Sequence, residues 1–397
     1  MNIPGRPSLW MRAAYFAFYA GIACWAPYIA LYYQRIGLSG TDIGILNAIP
    51  PLGMAFLAPV WGYLADSWSA HRLILRTALL TTAVVALLLA GASGFWQILP
   101  LILVLALVGT TASPLIDSYG VTISAKLGLG FGQLRVWGSI GYTLVVWLIG
   151  YAMGGQVSRL FLFGYAMALI STCTATVGLP AQRPRSSHNR WQGAAKVLRQ
   201  PDMRIVLLVI FLLAISTTPV FTLFGIYIEA LGGTASLLGA TSAIAAISEF
   251  PVMFFGSQLT NRLGSRHMLI VALSIYSVRI LLYSVIPSAP WVLAIQLLHG
   301  CTFGLYLIAS VTLVHELVGS ELAATAQGLL ASAMAFGQMS GSLIGGVLLD
   351  QVGIVALYRL AASITVLALI IFVLGLRWYA SPKALALHTL PEQPDKS

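Results

Sequence analysis

Several charged side chains lie inside long apolar stretches of the chain, and their chemistry gives the first indication of what it could do. Asp117 and Arg135 are 18 residues apart, and Glu249, Arg279 and His299 lie in the second half. A charge in hydrocarbon is costly unless it is paired, so each group needs a partner or a water-filled cavity. Arginine binds carboxylates or hydroxyl pairs through its planar fork, histidine changes charge near neutral pH, and a glutamate that tolerates neutrality can load and release a proton.

Each of these groups also has a purely structural interpretation. Asp117 and Arg135 can form a bridge that only holds two helices together, and Glu249 can make a hydrogen bond between helices. A histidine such as His299 can simply be satisfied inside a core. The residues alone leave these alternatives open.

An aromatic stripe runs along the first apolar stretch. Tyr15 and Tyr19 are four residues apart and Phe18 lies three after Tyr15, so the three share one face of a helix. Such a stripe can line a cavity for an aromatic or sugar ring, or it can face lipid or pack against other helices.

The composition indicates which elements must position these residues. The chain is 59% hydrophobic and only 8% charged, with a mean hydropathy of +0.90, whereas soluble domains carry about 25% charged residues. Long apolar stretches with short polar breaks are typical of membrane-spanning helices. The sequence contains no motif of a phosphate-binding loop, a zinc protease or a serine hydrolase, so we expect neither an enzyme nor a metal site.

Twelve spans of about 20 residues can be placed along the sequence, six on each side of a polar segment. We therefore predict an all-α membrane protein of twelve transmembrane helices in two pseudo-symmetric six-helix bundles. The predicted domains are an N-terminal bundle (1–179), a central cytoplasmic loop (180–204), a C-terminal bundle (205–379) and a cytoplasmic tail (380–397). The spans lie near residues 10–34, 42–65, 73–92, 95–124, 132–153, 157–179, 205–230, 235–260, 267–287, 290–317, 322–349 and 353–379.

The lysines and arginines predict the orientation. Sixteen of the 21 lie in segments facing one side, three face the other side, and Arg135 and Arg279 fall within spans. Basic loops mark the cytoplasmic side, so we expect both termini in the cytoplasm and a multi-pass protein in the inner membrane of a bacterium. The net charge of +10 then reflects orientation in the lipid bilayer, and no nucleic-acid partner is expected.

The segment GYLADSWSAHR (62–72) resembles the signature loop between the second and third helices of the major facilitator superfamily. In that motif the glycine permits close helix approach, and the aspartate caps a neighbouring helix or pairs with a basic residue to keep the cytoplasmic side shut. Ser69 stands where the motif usually has glycine, and GSQLTNRLGSRH (256–267) is a weaker echo in the second half. The gating residues that the resemblance implies are Gly62, Asp66 and Arg72.

Two longer stretches look like the branch of this superfamily that contains lactose permease, nucleoside permeases and the phenylpropionate permease. They are residues 116–144 and the segments 252–280 and 296–300. The first implies that Asp117 and Arg135 hold the substrate and that Tyr142, seven residues after the arginine, stacks on its ring. With the helix-1 tyrosines, the expected substrate-binding residues are Asp117, Arg135, Tyr142, Tyr15 and Tyr19.

The second stretch aligns Arg279 and His299 with residues that serve proton coupling in lactose permease. The match is incomplete, because Gln296 and Thr302 stand where that relative has a lysine and its proton-carrying glutamate. Glu249 is the best replacement carboxylate, since it lies mid-span about one turn from the relative's helix-8 glutamate. The predicted proton-coupling residues are therefore Glu249, Arg279 and His299.

These features predict a secondary active transporter that works by alternating access. We expect proton-coupled uptake of a small organic solute, such as a sugar, a nucleoside or an aromatic carboxylate, with the proton gradient as driving force and no cofactor. An efflux antiporter of the same fold is the main alternative, and a membrane enzyme or a transporter-like sensor is a further one. We expect a monomer, with one cavity between the bundles that holds Asp117, Arg135, Glu249, Arg279 and His299.

Overall fold

The computed structural model describes residues 6–180 and 193–378, and nearly all of them are helical. Ten segments are each long and apolar enough to cross a membrane once, since a hydrocarbon core of about 30 Å needs ~20 helical residues. We number them α1 (Pro7–Arg35), α2 (Gly40–Ser67), α3 (His71–Leu89), α4 (Phe95–Leu127), α5 (Phe131–Met153), α6 (Leu160–Gly178), α7 (Pro201–Thr222), α8 (Ala235–Phe254), α9 (Gly256–Tyr283) and α10 (Trp291–Gly319).

An eleventh apolar segment, Glu321–Gly375, is 55 residues long. As one straight helix it would measure about 80 Å, far more than a single crossing requires. Gly353 interrupts it with φ 76° and ψ 171°, which is not helical, and we divide it there into α11 (321–352) and α12 (354–375). The described part of the chain thus contains twelve spans, and the predicted fold class is confirmed.

Backbone conformation marks the two halves as copies of one another. Eight of the described residues have a φ between 51° and 91°, and they fall at four corresponding places in each half. Ser69 is one of them: its φ of 51° explains why a glycine is usual at this position of the motif. The corresponding residues are 191 to 199 positions apart: Gly37 with Gly232, Ser69 with Gly264, Gly128 with Gly319, and Gly154 with Gly353.

The two halves touch closely where small residues face one another. A Cβ atom on Gly44 of α2 would lie 2.6 Å from the carbonyl oxygen of Ser342 and 2.9 Å from Cα of Gly346, both on α11. A Cβ on Gly239 of α8 would lie 2.5 Å from the carbonyl oxygen of Val146 on α5. Because the backbones themselves are in contact, no larger side chain fits at these points.

Polar contacts reinforce one end of this interface, which we call the braced end. Arg35, at the end of α1, donates from Nε and Nη2 to the two carboxylate oxygens of Glu229, at 3.1 and 3.0 Å. Asp350, near the end of α11, accepts from the backbone N–H groups of Gly40 and Thr41 at 2.6 and 2.7 Å. This carboxylate therefore caps the first turn of α2 across the two halves.

The opposite end carries the 62–72 loop, and we call it the motif end. A Cβ on Gly62 would meet no atom within 4 Å, and Asp66 pairs with a basic residue of its own loop, with Oδ1 2.9 Å from Nε2 of His71. Arg72 donates to the carbonyl oxygen of Leu179 at the end of α6. Residues 58–67 of α2 pack chiefly against their own half, and the gating role of Gly62, Asp66 and Arg72 stays a prediction.

The remaining segments refine the predicted boundaries. The chain turns at Phe255 and residues 256–263 are helical up to a break at Gly264, so α9 begins earlier than the predicted 267. In the central segment the short helix Ala194–Leu198 follows Gly193 and buries Val197. Residues 181–192 of the predicted loop and the predicted tail 380–397 lie outside the described residues, and the division into domains at 180–204 stays a prediction.

Candidate functional site

The close approach of α8 and α10 brings two of the predicted coupling residues together. A Cβ on Gly300 would lie only 1.9 Å from the carbonyl oxygen of Ser248, and the Gly300 N–H donates to the Ser248 hydroxyl at 2.9 Å. A π-helical segment, Gly300–Gly304, begins at this contact, and such segments are frequent at functional sites. The adjoining residues, Glu249 and His299, therefore meet, with Oε1 and Nε2 3.0 Å apart.

Arg279 lies on the other side of this histidine and is only 2% exposed. Its Nη1 donates to Nδ1 of His299 at 2.9 Å and to the hydroxyl of Thr302 at 3.0 Å, and its Nη2 donates to the side-chain oxygen of Gln296. The two positions at which the sequence departs from lactose permease are thus the ones that hold the arginine. Neutral partners accept from both of its terminal nitrogens, its Nε has no partner among the described residues, and the carboxylate of Glu249 is reached through the imidazole.

This chain of contacts fixes the hydrogen positions on the imidazole. Arginine has only donors, so Nδ1 of His299 must accept from Arg279, and a neutral imidazole then carries its hydrogen on Nε2. That hydrogen points at Oε1 of Glu249, which accepts it. A second proton on His299 would require Nδ1 to give up its bond from Arg279, whereas Glu249 has a second carboxylate oxygen available for a proton.

A cavity of about 420 Å³ opens beside this group. Its wall comes mainly from α7, α10 and α11, with two residues of α2 and one each of α8 and α9, and its surface is mainly apolar with a few polar side chains. Of the five charged residues expected around one cavity, Glu249 and His299 line this one, whereas Arg279 lies behind His299 and the Asp117–Arg135 pair is not part of its wall. The lining includes Asn47, Thr217, Thr218, Phe221, Glu249, Tyr276, His299, Phe303, Gln338 and Ser342.

The N-terminal half has a second charged group, formed by α1, α4 and α5. The hydroxyl of Tyr15 donates to Oδ1 of Asp117 at 3.0 Å, and Nε of Arg135 lies 3.9 Å from the same oxygen. The guanidinium carbon of Arg135 lies 3.8 Å from the ring centroid of Tyr19, which is a cation–π contact. The side chains of Arg135 and Asp117 are 32% and 40% exposed, so this pair is accessible as well as partnered.

Glycines make room for the two tyrosines. A Cβ on Gly120 of α4 would lie 2.2 Å from the Tyr15 hydroxyl, and a Cβ on Gly138 of α5 would lie 2.6 Å from the Tyr19 ring. The sequence does contain a signal for these glycines: each lies three residues after an embedded charged residue, and therefore on the same face of its helix. It is hard to separate from the many glycines that only allow helices to pack.

Tyr142 does not join this group. The ring that covers Arg135 is Tyr19, whereas Tyr142 packs against the core and is close enough to Glu249 for an electrostatic interaction. The physical reason is distance along the helix, because seven residues correspond to two turns and about 10 Å. Tyr142 therefore shares a face with Arg135 but lies nearer the carboxylate of the other half.

Sequence reasoning missed two kinds of residue at this site. Gln296 and Thr302 were treated only as departures from the lactose permease pattern. A buried arginine needs several hydrogen-bond acceptors, and residues one turn before and after His299 are positioned to supply them. Asn47 and Gln338 lie alone in apolar helices and carry no local pattern. Within residues 6–180 and 193–378, no group of three His, Cys, Asp or Glu side chains is arranged to hold a metal ion.

The amino-acid sequence is similar to those of known membrane transporters. The model of the MFS_1 like family matches residues 8–360. A maltose permease of Geobacillus stearothermophilus is 26% identical over 91% of this chain and 92% of its own length. A probable 3-phenylpropionic acid transporter of Escherichia coli is 25% identical over 79% and 83% of the two chains, and the multidrug resistance protein MdtG of Serratia proteamaculans is 26% identical over 85% and 86%.

Comparison of structures gives the same fold. A crystal structure of the nucleoside transporter NupG, in a D323A mutant, superimposes with a TM-score of 0.85 at 18% identity and covers 93% of this chain and 99% of its own. At that identity the likeness concerns the arrangement of helices alone. The match extends over both halves, as the sequence resemblance implies.

Proposed function

The chain belongs to the MFS_1 like family and is a membrane transporter, not an enzyme, and from this premise we propose that it takes up a small organic solute together with protons. The observation that carries the proposal is the linear group Arg279–His299–Glu249, which begins at a buried cation and ends at a carboxylate on a cavity wall. A buried charge normally requires compensation close by. Here the negative charge that balances Arg279 is on Glu249, which is connected to the arginine by hydrogen bonds through the imidazole of His299 and lies where solvent and solute can reach it.

The proposed proton site is Glu249. Its ionised form accepts from His299 and balances the charge of Arg279 at a distance, while its protonated form removes the only negative charge of the cavity wall. A carboxylate that alternates between these forms changes the electrostatic free energy of the whole group, because interactions in a low-dielectric site are strong. Coupling follows if the halves rock only when the carboxyl group is neutral and the solute is bound.

The proposed solute contacts in the N-terminal half are Asp117 and Arg135, with Tyr15 and Tyr19 packed on them. These side chains are partly exposed, so a solute can replace part of their mutual contact. A sugar or nucleoside suits the carboxylate, the guanidinium and the adjacent rings. An aromatic carboxylate suits Arg135, and the names of the relatives, maltose permease and 3-phenylpropionic acid transporter, correspond to these two classes.

We further propose that the motif end faces the cytoplasm and that the protein works as a monomer in the inner membrane of a bacterium. The excess of basic residues in the segments at the motif end supports this orientation. In that orientation the braced end closes the outward side, and the present conformation is one that opens inward.

The experiment is solute-induced pH change with purified protein in proteoliposomes, using sugars, nucleosides and aryl carboxylates. Symport predicts that an added solute alkalinises the external medium and that Glu249→Gln abolishes this change while leaving solute exchange measurable. His299→Gln is the companion variant, since it removes the relay but keeps the carboxylate. Solute exchange without any proton movement in the wild type would contradict symport.

An efflux antiporter is the second candidate, favoured by the similarity to the multidrug resistance protein MdtG. The same vesicles distinguish the two directions of coupling by sign. In an antiporter, solute that enters the vesicles drives protons out, so the external medium becomes acidic and not alkaline.

A further inference from the structure

Two buried polar atoms in the cavity wall have no partner among the described residues. They are Nδ2 of Asn47, on α2 in the N-terminal half, and the hydroxyl oxygen of Ser342, on α11 in the C-terminal half. A buried polar atom that makes no hydrogen bond destabilises a protein, so each one in a native structure calls for an explanation. The unusual feature is that the two side chains belong to opposite halves and line one cavity.

The backbone contact between α2 and α11 explains why these two residues are neighbours. Gly44 touches the carbonyl oxygen of Ser342, where a Cβ would lie only 2.6 Å away. Asn47 lies three residues after Gly44 and Gln338 lies four before Ser342, so each is on the same helix face as the contact. Asn47, Gln338 and Ser342 all line the cavity, at the place where the two halves meet.

We propose that Asn47, Gln338 and Ser342 form a subsite that binds a hydroxyl group of the solute from both halves at once. A hydroxyl can accept from the Asn47 amide and can donate to, or accept from, the Ser342 hydroxyl, so one group satisfies both unpartnered atoms. An anionic group fits less well, because the three side chains are neutral and the cavity wall already carries Glu249. The subsite rests on the proposed transport function and narrows its substrate class to hydroxylated solutes such as sugars and nucleosides.

The location gives the subsite a second consequence. A hydroxyl bound between α2 and α11 has one partner in each half, so it is held only while the braced interface is closed. When the halves separate at the braced end, Asn47 and Ser342 move apart and can no longer bind the same hydroxyl group. The affinity for the solute therefore differs between the conformation closed at this end and the one open there. Alternating access needs a difference of this kind.

The first test needs no ligand. Asn47→Leu and Ser342→Ala remove the unpartnered atoms, and the control Ser216→Ala removes a buried hydroxyl that donates to the Ala361 carbonyl at 2.7 Å and pairs with Thr365. We expect the melting temperature of the purified protein in detergent to stay the same or rise in the first two variants and to fall in the control. A fall in Asn47→Leu and Ser342→Ala as large as in Ser216→Ala would mean that both residues are structural, and it would overturn the proposal.

The second test measures binding of three probes, maltose, adenosine and 3-phenylpropionate, by the shift that each causes in melting temperature. We expect maltose or adenosine to stabilise the wild type, with affinity about tenfold lower in Asn47→Leu and severalfold lower in Ser342→Ala. The proposal is overturned if neither hydroxylated probe stabilises the wild type, or if their affinities are unchanged in the variants.

The vesicle experiment separates this proposal from proton coupling. If 3-phenylpropionate alkalinises the medium equally in the wild type and in Asn47→Leu, the proposal of symport is supported and the proposal of a hydroxyl subsite is rejected. If the wild type binds maltose or adenosine but moves no protons, and Asn47→Leu weakens that binding, the proposal of the subsite is supported and the proposal of symport is rejected.

Discussion

The two halves of the molecule each contain an arginine and a carboxylate, but the two groups are built differently. In the N-terminal half Arg135 and Asp117 lie 3.9 Å apart and both are partly exposed. In the C-terminal half Arg279 is buried and reaches Glu249 only through His299. The first pair can exchange its contact for a solute, whereas the second has one accessible member, and that member is the carboxylate.

In the proposed function, this difference gives the halves separate tasks. A partly exposed ion pair contributes little to stability and can be opened at small cost. A buried arginine with three hydrogen-bonded neighbours is costly to disturb, so it holds its surroundings in one arrangement. We therefore expect changes in the N-terminal group to alter solute affinity, and changes in the C-terminal group to alter stability and proton coupling.

The largest expected effect is on stability. Arg279→Gln leaves the side chains of Gln296, His299 and Thr302 without their donor, and breaking a buried charged network costs about 3–5 kcal/mol. Arg135→Gln, at a partly exposed pair, should cost ~1 kcal/mol or less. Thermal unfolding of both variants in detergent, followed by tryptophan fluorescence, measures the contrast, and equal losses would contradict the comparison.

Coupling should depend on the contact between α8 and α10. Gly300→Ala places a Cβ against the Ser248 carbonyl oxygen, 1.9 Å away, and should separate Glu249 from His299. Gly304→Ala is the matched control on the same helix, because its Cβ would meet only the Val252 side chain at 3.0 Å. We expect proton-driven accumulation to fall at least about tenfold in the first variant and less than about twofold in the second, since a misplacement near 1 Å costs up to 10²-fold in rate. Similar losses in both would show that helix spacing here is not specific to coupling.

The N-terminal carboxylate should affect affinity without affecting coupling. Asp117→Asn keeps the side-chain shape but removes the charge, and hydrogen bonds to charged groups contribute about 1.5–3 kcal/mol. The KM of uptake should therefore rise by about tenfold or more, while the number of protons moved per solute stays the same. The measurement is parallel uptake of labelled solute and protons; a changed ratio would mean that Asp117 belongs to the proton path.

The smallest expected effect concerns the ring over Arg135. Tyr19→Phe keeps the aromatic face and should change KM less than about twofold, whereas Tyr19→Leu removes a cation–π contact of about 0.5–2 kcal/mol and should raise KM severalfold. The measurement is the KM of solute uptake in the two variants. If Tyr19→Phe is as impaired as Tyr19→Leu, the hydroxyl and not the ring is the important group.

Sequence reasoning succeeded where the physics is local or strongly constrained. Twelve apolar spans follow from hydropathy, and embedded charges such as Asp117 and Arg135 had to find partners because hydrocarbon offers none. The pairing of Arg279 with His299, 20 residues apart, came from the resemblance to a known branch. Ser69 kept the left-handed conformation of the glycine that it replaces, so the motif retained its backbone shape despite the changed residue.

The rest depended on contacts between distant segments. The role of Gly300 is set by the Ser248 backbone, 52 residues away, and nothing near either residue announces it. Tyr142 was placed by analogy on the solute beside Arg135, although two helical turns carry it towards Glu249. The state of the 62–72 motif was also unpredictable, because a sequence describes every conformation of a transporter and the structure describes one.

The contacts at the braced end also have a consequence for timing. In the proposed cycle, Arg35 must leave Glu229 and Asp350 must leave the start of α2 in the same motion, once per solute. If these contacts together contribute about 2 kcal/mol to the barrier, they prolong the lifetime of the closed outward side roughly thirtyfold. They act as a delay, which gives solute and proton time to depart on the inner side before the carrier resets.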